Sequence, residues 1–188
     1  RNPSPVLCFA ARVPERRAER YAPVQRGLAG YLAGRTRGTS QQPGEIAGAM
    51  SGSLQYRGPD DAGVWIDAEA GVAFAHRRLS VIDLSPAGHQ PMISADGRYV
   101  IIYNGEVYSH EDMRPSLSER GATFRGHSDT EVILESVAAF GLERTLEQLI
   151  GMFAIALWDR RERTLTLARD RLGIKPLYWG QFGDLFVF

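Results

Sequence analysis

Tyr99-Val-Ile-Ile-Tyr-Asn-Gly-Glu-Val-Tyr108 starts as a strand and ends in polar residues. Tyr99 to Tyr103 is brief and rich in β-branched and aromatic side chains, which is the texture of a buried strand. Asn104-Gly105 that follows is the commonest dipeptide of a tight hairpin turn. Working outward, Leu28 to Leu32, Val72 to Ala75, Met152 to Trp158 and Thr164 to Ala168 read the same way, each bounded by Gly, Asp or Asn. Helix signals lie between them. Ser128-Asp-Thr-Glu131 has the form of a capping box, after which Ile133, Leu134, Val137 and Ala138 recur at helical spacing and Gly141 supplies the stop. Further helices are predicted over Glu111 to Arg120, Leu142 to Leu149 and Glu45 to Leu54, the last with Met50 and Leu54 on its apolar face. Strands in two clusters with helices outside imply an α+β domain with stacked sheets.

The chain has 188 residues, 44% hydrophobic and 23% charged, so one domain with an extension is expected at roughly 150 residues per domain. No run approaches the ~18 consecutive apolar residues of a membrane span. With 22 basic against 22 acidic side chains the net charge is zero, so no global field favours nucleic acid or an anionic membrane. Cys8 is the single cysteine, no Cys/His cluster has zinc-ligand spacing, and a cytoplasmic setting fits. Residues 1–25 carry Arg1, Arg12, Arg16, Arg17 and Arg20 against Glu15 and Glu19, and read as an appended tail. Residues 26–188 form the expected domain.

Polar clusters interrupt the strands at Arg57-Gly-Pro-Asp-Asp61, Arg77-Arg-Leu-Ser-Val-Ile-Asp83, Tyr103-Asn-Gly-Glu-Val-Tyr108 and Gly126-His-Ser-Asp-Thr-Glu131. Singly, each reads as a turn or a cap. In order, and extended to RGPDDAGVW (57–65), AHRRLSVIDLSPAGHQPM (75–92), YNGEVYSH (103–110), HSDTEVIL (127–134), GMFAIALWD (151–159) and ARDRLGIKPLYWG (168–180), they resemble the glutaminase domain of asparagine synthetase and its relatives. These are the class II glutamine amidotransferases of the N-terminal nucleophile hydrolase fold. The resemblance implies a four-layer αββα sandwich that releases ammonia from glutamine.

That chemistry requires a nucleophile, a base, donors for a tetrahedral oxyanion, and charges that grip the amino-acid end. By resemblance, Asn104 and Gly105 form the oxyanion hole through a side-chain amide and a backbone N–H. Arg78 takes the glutamine α-carboxylate, where a guanidinium fork can pair bidentately, and Arg77 is its solvated neighbour. Glu106 and Asp129 hold the α-ammonium, and Leu79, Ser80, Val81 and Ile82 complete the glutamine site. His76, His89, His110 and His127 are read as structural, since no metal is implied. Arg169-Asp170 and Gly173 to Leu177 position the late strands and the connection onward.

In the family the mature chain begins with a cysteine that supplies both thiolate and α-amine. Here Cys8 lies too far upstream of Arg57 and Ile46-Ala-Gly48 too near, whereas Arg26-Gly-Leu-Ala-Gly-Tyr-Leu32 reproduces the first strand at the right separation. Arg26 thus takes the nucleophile position. A guanidinium remains protonated and cannot attack, so the chain is expected to be impaired. The resemblance implies a following synthetase domain using ATP and Mg²⁺ to amidate aspartate, with no cofactor in this chain, glutamine as ligand and a homodimer in the full-length enzyme. The alternative is a non-catalytic glutamine-binding or docking module.

Overall fold

The computed structural model describes residues 27–33, 43–78 and 88–188. The expected tail, Arg26 and Leu79, Ser80, Val81 and Ile82 lie outside them.

Two antiparallel sheets carry the fold. The first contains β1 (Gly27–Ala33), β2 (Asp61–Asp67), β3 (Val72–Arg78), β8 (Gly180–Phe182) and β9 (Leu185–Val187), in the order β2-β3-β1-β9-β8. The second contains β4 (Met92–Ile93), β5 (Tyr99–Val107), β6 (Gly151–Asp159) and β7 (Thr164–Arg169), in the order β4-β5-β6-β7. Helix α1 (Pro43–Ser53) covers the first sheet, while α2 (His110–Ser118), α3 (Asp129–Phe140) and α4 (Leu142–Gln148) cover the second.

Strand alternation explains the layering. On β3, Val72 and Phe74 pack inward against Val100 and Ile102 of β5 and Ala156 and Trp158 of β6, closing the space between the sheets. Ala73 and Ala75, pointing the other way, meet Ala47, Ile46 and Met50 of α1. Small alanines on that face allow the helix to lie close. The opposite face of β5, Ile101 and Tyr103, packs with Ile155 and Leu157 of β6 against Val132, Ile133 and Val137 of α3 and Leu117 of α2. Three apolar layers thus separate four layers of secondary structure, giving the expected αββα sandwich.

Several local readings change. Tyr99 does not lead into a hairpin at Asn104-Gly105: β5 runs straight through to Val107, with Asn104 opposite Ala154 and Gly105 opposite Phe153. Sheet pairing along β6 overrides the local turn preference. The capping box is only half formed. Ser128 accepts from the amide of Thr130 rather than that of Glu131. The Glu131 carboxylate turns away to take the Arg125 and Gly126 amides and the Arg125 side chain. Strands β2, β4, β8 and β9 are not among the expected runs: β4, β8 and β9 are only two or three residues long, and β2 is bounded by aspartates at both ends.

Candidate active site

The alternation that builds the core also aims the polar residues. On β3, His76 and Arg78 continue the inward-facing series Val72, Phe74; on β5, Asn104 and Glu106 continue Val100, Ile102. All four project into the space between the sheets beyond the apolar core. His76 fixes their relative height: buried, it donates from Nε2 to the Tyr103 carbonyl of the opposite sheet at 3.2 Å. A carbonyl can only accept, so that nitrogen carries the proton.

Arg78 is 5% exposed, an unusual burial for arginine. The Arg57-Gly-Pro-Asp-Asp61 cluster holds its backbone. A Cβ on Gly58 would sit 2.6 Å from the Arg78 nitrogen, and the Asp60 amide donates to the Arg78 carbonyl at 3.1 Å. Gly88 lets the guanidinium lie over its Cα, since a Cβ there would approach the Arg78 Cζ to 2.8 Å. Asp61 stands opposite Arg78 in register and binds His89 Nδ1 at 2.7 Å. Burial raises the Asp61 pKa, but the His89 bond and charge outweigh it and hold the carboxyl below its ordinary value. Arg77 is not the solvated neighbour expected: its Nε donates to the Ser51 carbonyl and hydroxyl at the end of α1, at 3.2 and 3.0 Å.

The backbone of β5 supplies the most informative geometry. Phe153 uses its N–H toward Asp170 Oδ2 and its C=O toward the Asp170 amide, both on the β7 side. Gly105, its partner in register, therefore occupies a non-hydrogen-bonded pair, and its N–H points away from β6. Along that same edge the Tyr103 N–H is taken by Gln90 Oε1 at 2.7 Å and the Val107 N–H by Asp129 Oδ2 at 3.2 Å. Among the described residues, nothing takes the Gly105 N–H between them. Beside it, Asn104 Oδ1 is buried without a hydrogen-bond partner, an orphaned acceptor next to the open Gly105 N–H. Gly105 must be glycine because a Cβ would run into the Met152 carbonyl and within 2.8 Å of the Phe153 Cα.

Asp129 opens α3 with 1% exposure. Its Oδ2 also accepts the Tyr103 hydroxyl at 2.7 Å, and its Oδ1 accepts the Thr130 amide at 2.9 Å. A carboxylate in the first turn is favoured by the helix dipole. Three neutral donors leave acceptor capacity for a cation. Asp170 sets the outer wall of this end. Burial raises its pKa, yet the amides of Lys175, Ile174 and Phe153 hold it below its ordinary value. Asp170 thus clamps the strand opposite Gly105, in keeping with the positioning role expected of Arg169-Asp170. Among the described residues, no group of three or more His, Cys, Asp or Glu side chains is placed to hold a metal ion. No helix among them is long and apolar enough to cross a membrane.

The structure thus brings Arg78, Asn104, Gly105, Glu106 and Asp129 to one end of the sandwich. Sequence reasoning read His76 as structural, which its bond to Tyr103 bears out, but missed Gln90 as a brace. The burial of both depends on partners 27 and 13 residues away, which leave no local pattern. Stacked antiparallel sheets between helices make up the four-layer αββα sandwich. A solved structure of the glutamine phosphoribosylpyrophosphate amidotransferase from Bacillus subtilis, complexed with ADP and GMP, shares the fold. Its TM-score is 0.67 at 21% identity, over 85% of this chain and 40% of that one.

Residues 27–188 match the model of the glutamine amidotransferase domain family, and the chain belongs to that family. It is 45% identical over 141 residues to "Asparagine synthetase [glutamine-hydrolyzing] 3" of Bacillus subtilis, covering 74% of this chain and 22% of that protein. It is 40% identical over 126 residues to "Amidase chry2" of Gibberella zeae, covering 67% of this chain and 18% of that protein. The chain therefore spans about a fifth of the length of these relatives.

Proposed function

We propose that this end of the sandwich binds glutamine as the ammonia-supplying site of an asparagine synthetase-type amidotransferase. One observation carries the reading: among the described residues, the Gly105 N–H is unclaimed on an edge whose neighbouring amides are both taken, with the Asn104 side chain beside it. That N–H, with the Asn104 side-chain amide that the resemblance assigns beside it, suits the oxyanion of an amide under attack, which carries its charge only in the transition state. The Arg78 guanidinium takes the α-carboxylate, and Asp129 with Glu106 takes the α-ammonium. The resemblance assigns Leu79, Ser80, Val81 and Ile82 to the same glutamine site.

Arg26, immediately before β1, occupies the place of the nucleophile, so the chain as written binds glutamine without hydrolysing it. Further sequence would carry the synthetase chemistry, with ATP and Mg²⁺ activating an aspartate carboxylate. The acceptor is open, since one similar protein is named a synthetase and another an amidase. Arg26 equally favours a second reading, a glutamine-binding module that docks on a partner and never turns over.

Titration calorimetry with glutamine tests the shared core of both readings. Heat should appear at millimolar ligand or below, and Arg78→Ala should weaken it by about one charged hydrogen-bonded contact, roughly 1.5–3 kcal/mol. Absence of binding by a folded chain removes both.

A further inference from the structure

Four buried residues close a hydrogen-bonded ring around the first turn of α3. The Tyr103 amide donates to Gln90 Oε1 at 2.7 Å, and Gln90 Nε2 donates to Thr130 Oγ1 at 3.1 Å. The Thr130 amide donates to Asp129 Oδ1 at 2.9 Å, and the Tyr103 hydroxyl donates to Asp129 Oδ2 at 2.7 Å. None of the four is more than 2% exposed. Every link is between neutral donors and either the Asp129 carboxylate or a neutral acceptor, so the ring orients that carboxylate without neutralising it. Both of its oxygens are pinned, which fixes the direction of any remaining lone pair.

The ring is also tied to the opposite end of the ligand. Gln90 lies two residues after Gly88, whose Cα supports the Arg78 guanidinium, and the Tyr103 carbonyl accepts from His76, two residues before Arg78 on β3. One short segment, Gly88 to Gln90, therefore spans from the cationic anchor to the anionic one. We infer that Tyr103 and Gln90 are positioning residues that set the Asp129 carboxylate at a fixed reach from Arg78, so that the site selects ligands carrying an α-ammonium as well as an α-carboxylate. This rests on the reading of Asp129 as the ammonium site.

The test separates the two. Affinities of the full chain for glutamine and for glutaramate, which lacks the α-amino group, are measured by ligand-observed NMR, with thermal denaturation alongside. Tyr103→Phe keeps the aromatic side chain and removes only its hydroxyl. It should weaken glutamine by about tenfold, the loss of one hydrogen bond to a charged group, and leave glutaramate unchanged. Thr130→Val breaks the hydrogen-bonded ring on its other side while keeping the amide, and should shift the ratio in the same direction. It also serves if Tyr103→Phe does not fold. Ser136→Ala is the control: on the same helix as Thr130 but away from the ring, it removes a buried bond to Thr145 of α4 and should leave the ratio alone. Should glutaramate prove too weak to detect with any variant, the glutamine loss against Ser136→Ala is the readout. Equal losses for both ligands, no loss with either ring variant, or an equal loss in Ser136→Ala would overturn the inference while leaving the glutamine site standing. No glutamine binding by the parent chain overturns both.

Discussion

The two ends of the sandwich treat charge in opposite ways. At the far end, in the turns between β2 and β3, β4 and β5, and β6 and β7, ions pair with ions at the surface. Arg98 grips Asp159 at 2.7 Å, and Arg163 meets Glu69 at 3.4 Å. At the near end the charges are buried and held by neutral groups: Asp129 by a phenol and two amides, Asp170 by three amides. Ions that satisfy each other in water have nothing left for a ligand and little net energy. Charges held by dipoles keep their sign and their direction, at the cost of desolvation. Each end contains arginines and acids, so composition alone does not tell them apart.

The largest effect expected from breaking the near end's design is a gain. A chain that begins at residue 26 with Arg26→Cys, after removal of an initiator Met, regains both thiol and free α-amine. Ammonia and glutamate release should rise by orders of magnitude, since loss of a nucleophile in a comparable covalent mechanism costs about 10⁶ in turnover. The same substitution behind residues 1–25 should do far less. Asn104→Ala in the active background should then remove roughly 10²–10³ in kcat. If the shortened Arg26→Cys chain folds and stays silent, the nucleophile belongs elsewhere.

Gly105→Ala should cost about 1–3 kcal/mol in chemical denaturation, because the added methyl drives into the β6 backbone and forces the strands apart. An unchanged midpoint would show that β5 and β6 can separate there without penalty.

Asp170→Asn sharpens the contrast through pH. The Asp170 pKa is held below its unfolded value, so its stabilisation is present above the unfolded pKa and disappears as pH falls through the folded one. The variant should be less stable at pH 7, and the gap to the parent should close in acid below the ordinary carboxylate range. A gap that stays constant with pH would assign the role to shape alone. Smallest of all, Glu69→Ala at the far end should shift stability by no more than about 0.5 kcal/mol, since its ion pair with Arg163 is exposed at both partners.

How far the sequence could be read tracks how local each cause is. The β5 and β6 runs, β7 and α3 announce themselves, because burial on both faces leaves an unbroken apolar run, a half-buried strand alternates, and a helix leaves its period. β8 and β9 do not, being three residues each: β9 is stabilised by joining β1's edge, with Phe188 edge-on against Phe74 at 5.8 Å, and β8 by pairing with β9. Of the site, Arg78, Asn104, Gly105, Glu106 and Asp129 were legible only as an ordered set that resembles a family. Nothing in Asn104-Gly105 alone distinguishes a hairpin turn from a strand interior.

By itself, then, the sequence determined which segments are buried, that they stack as two sheets between helices, and which polar residues belong together. Their periods and their order are properties of the chain. Tertiary structure alone decided that Asn104-Gly105 stays in a strand, that Arg77 docks on α1 while Arg78 turns inward, and that the Gly105 amide is left open between two that are taken. Each of those outcomes depends on which groups a distant segment brings within hydrogen-bond reach, and a backbone amide is the same donor at every position until a partner is placed beside it.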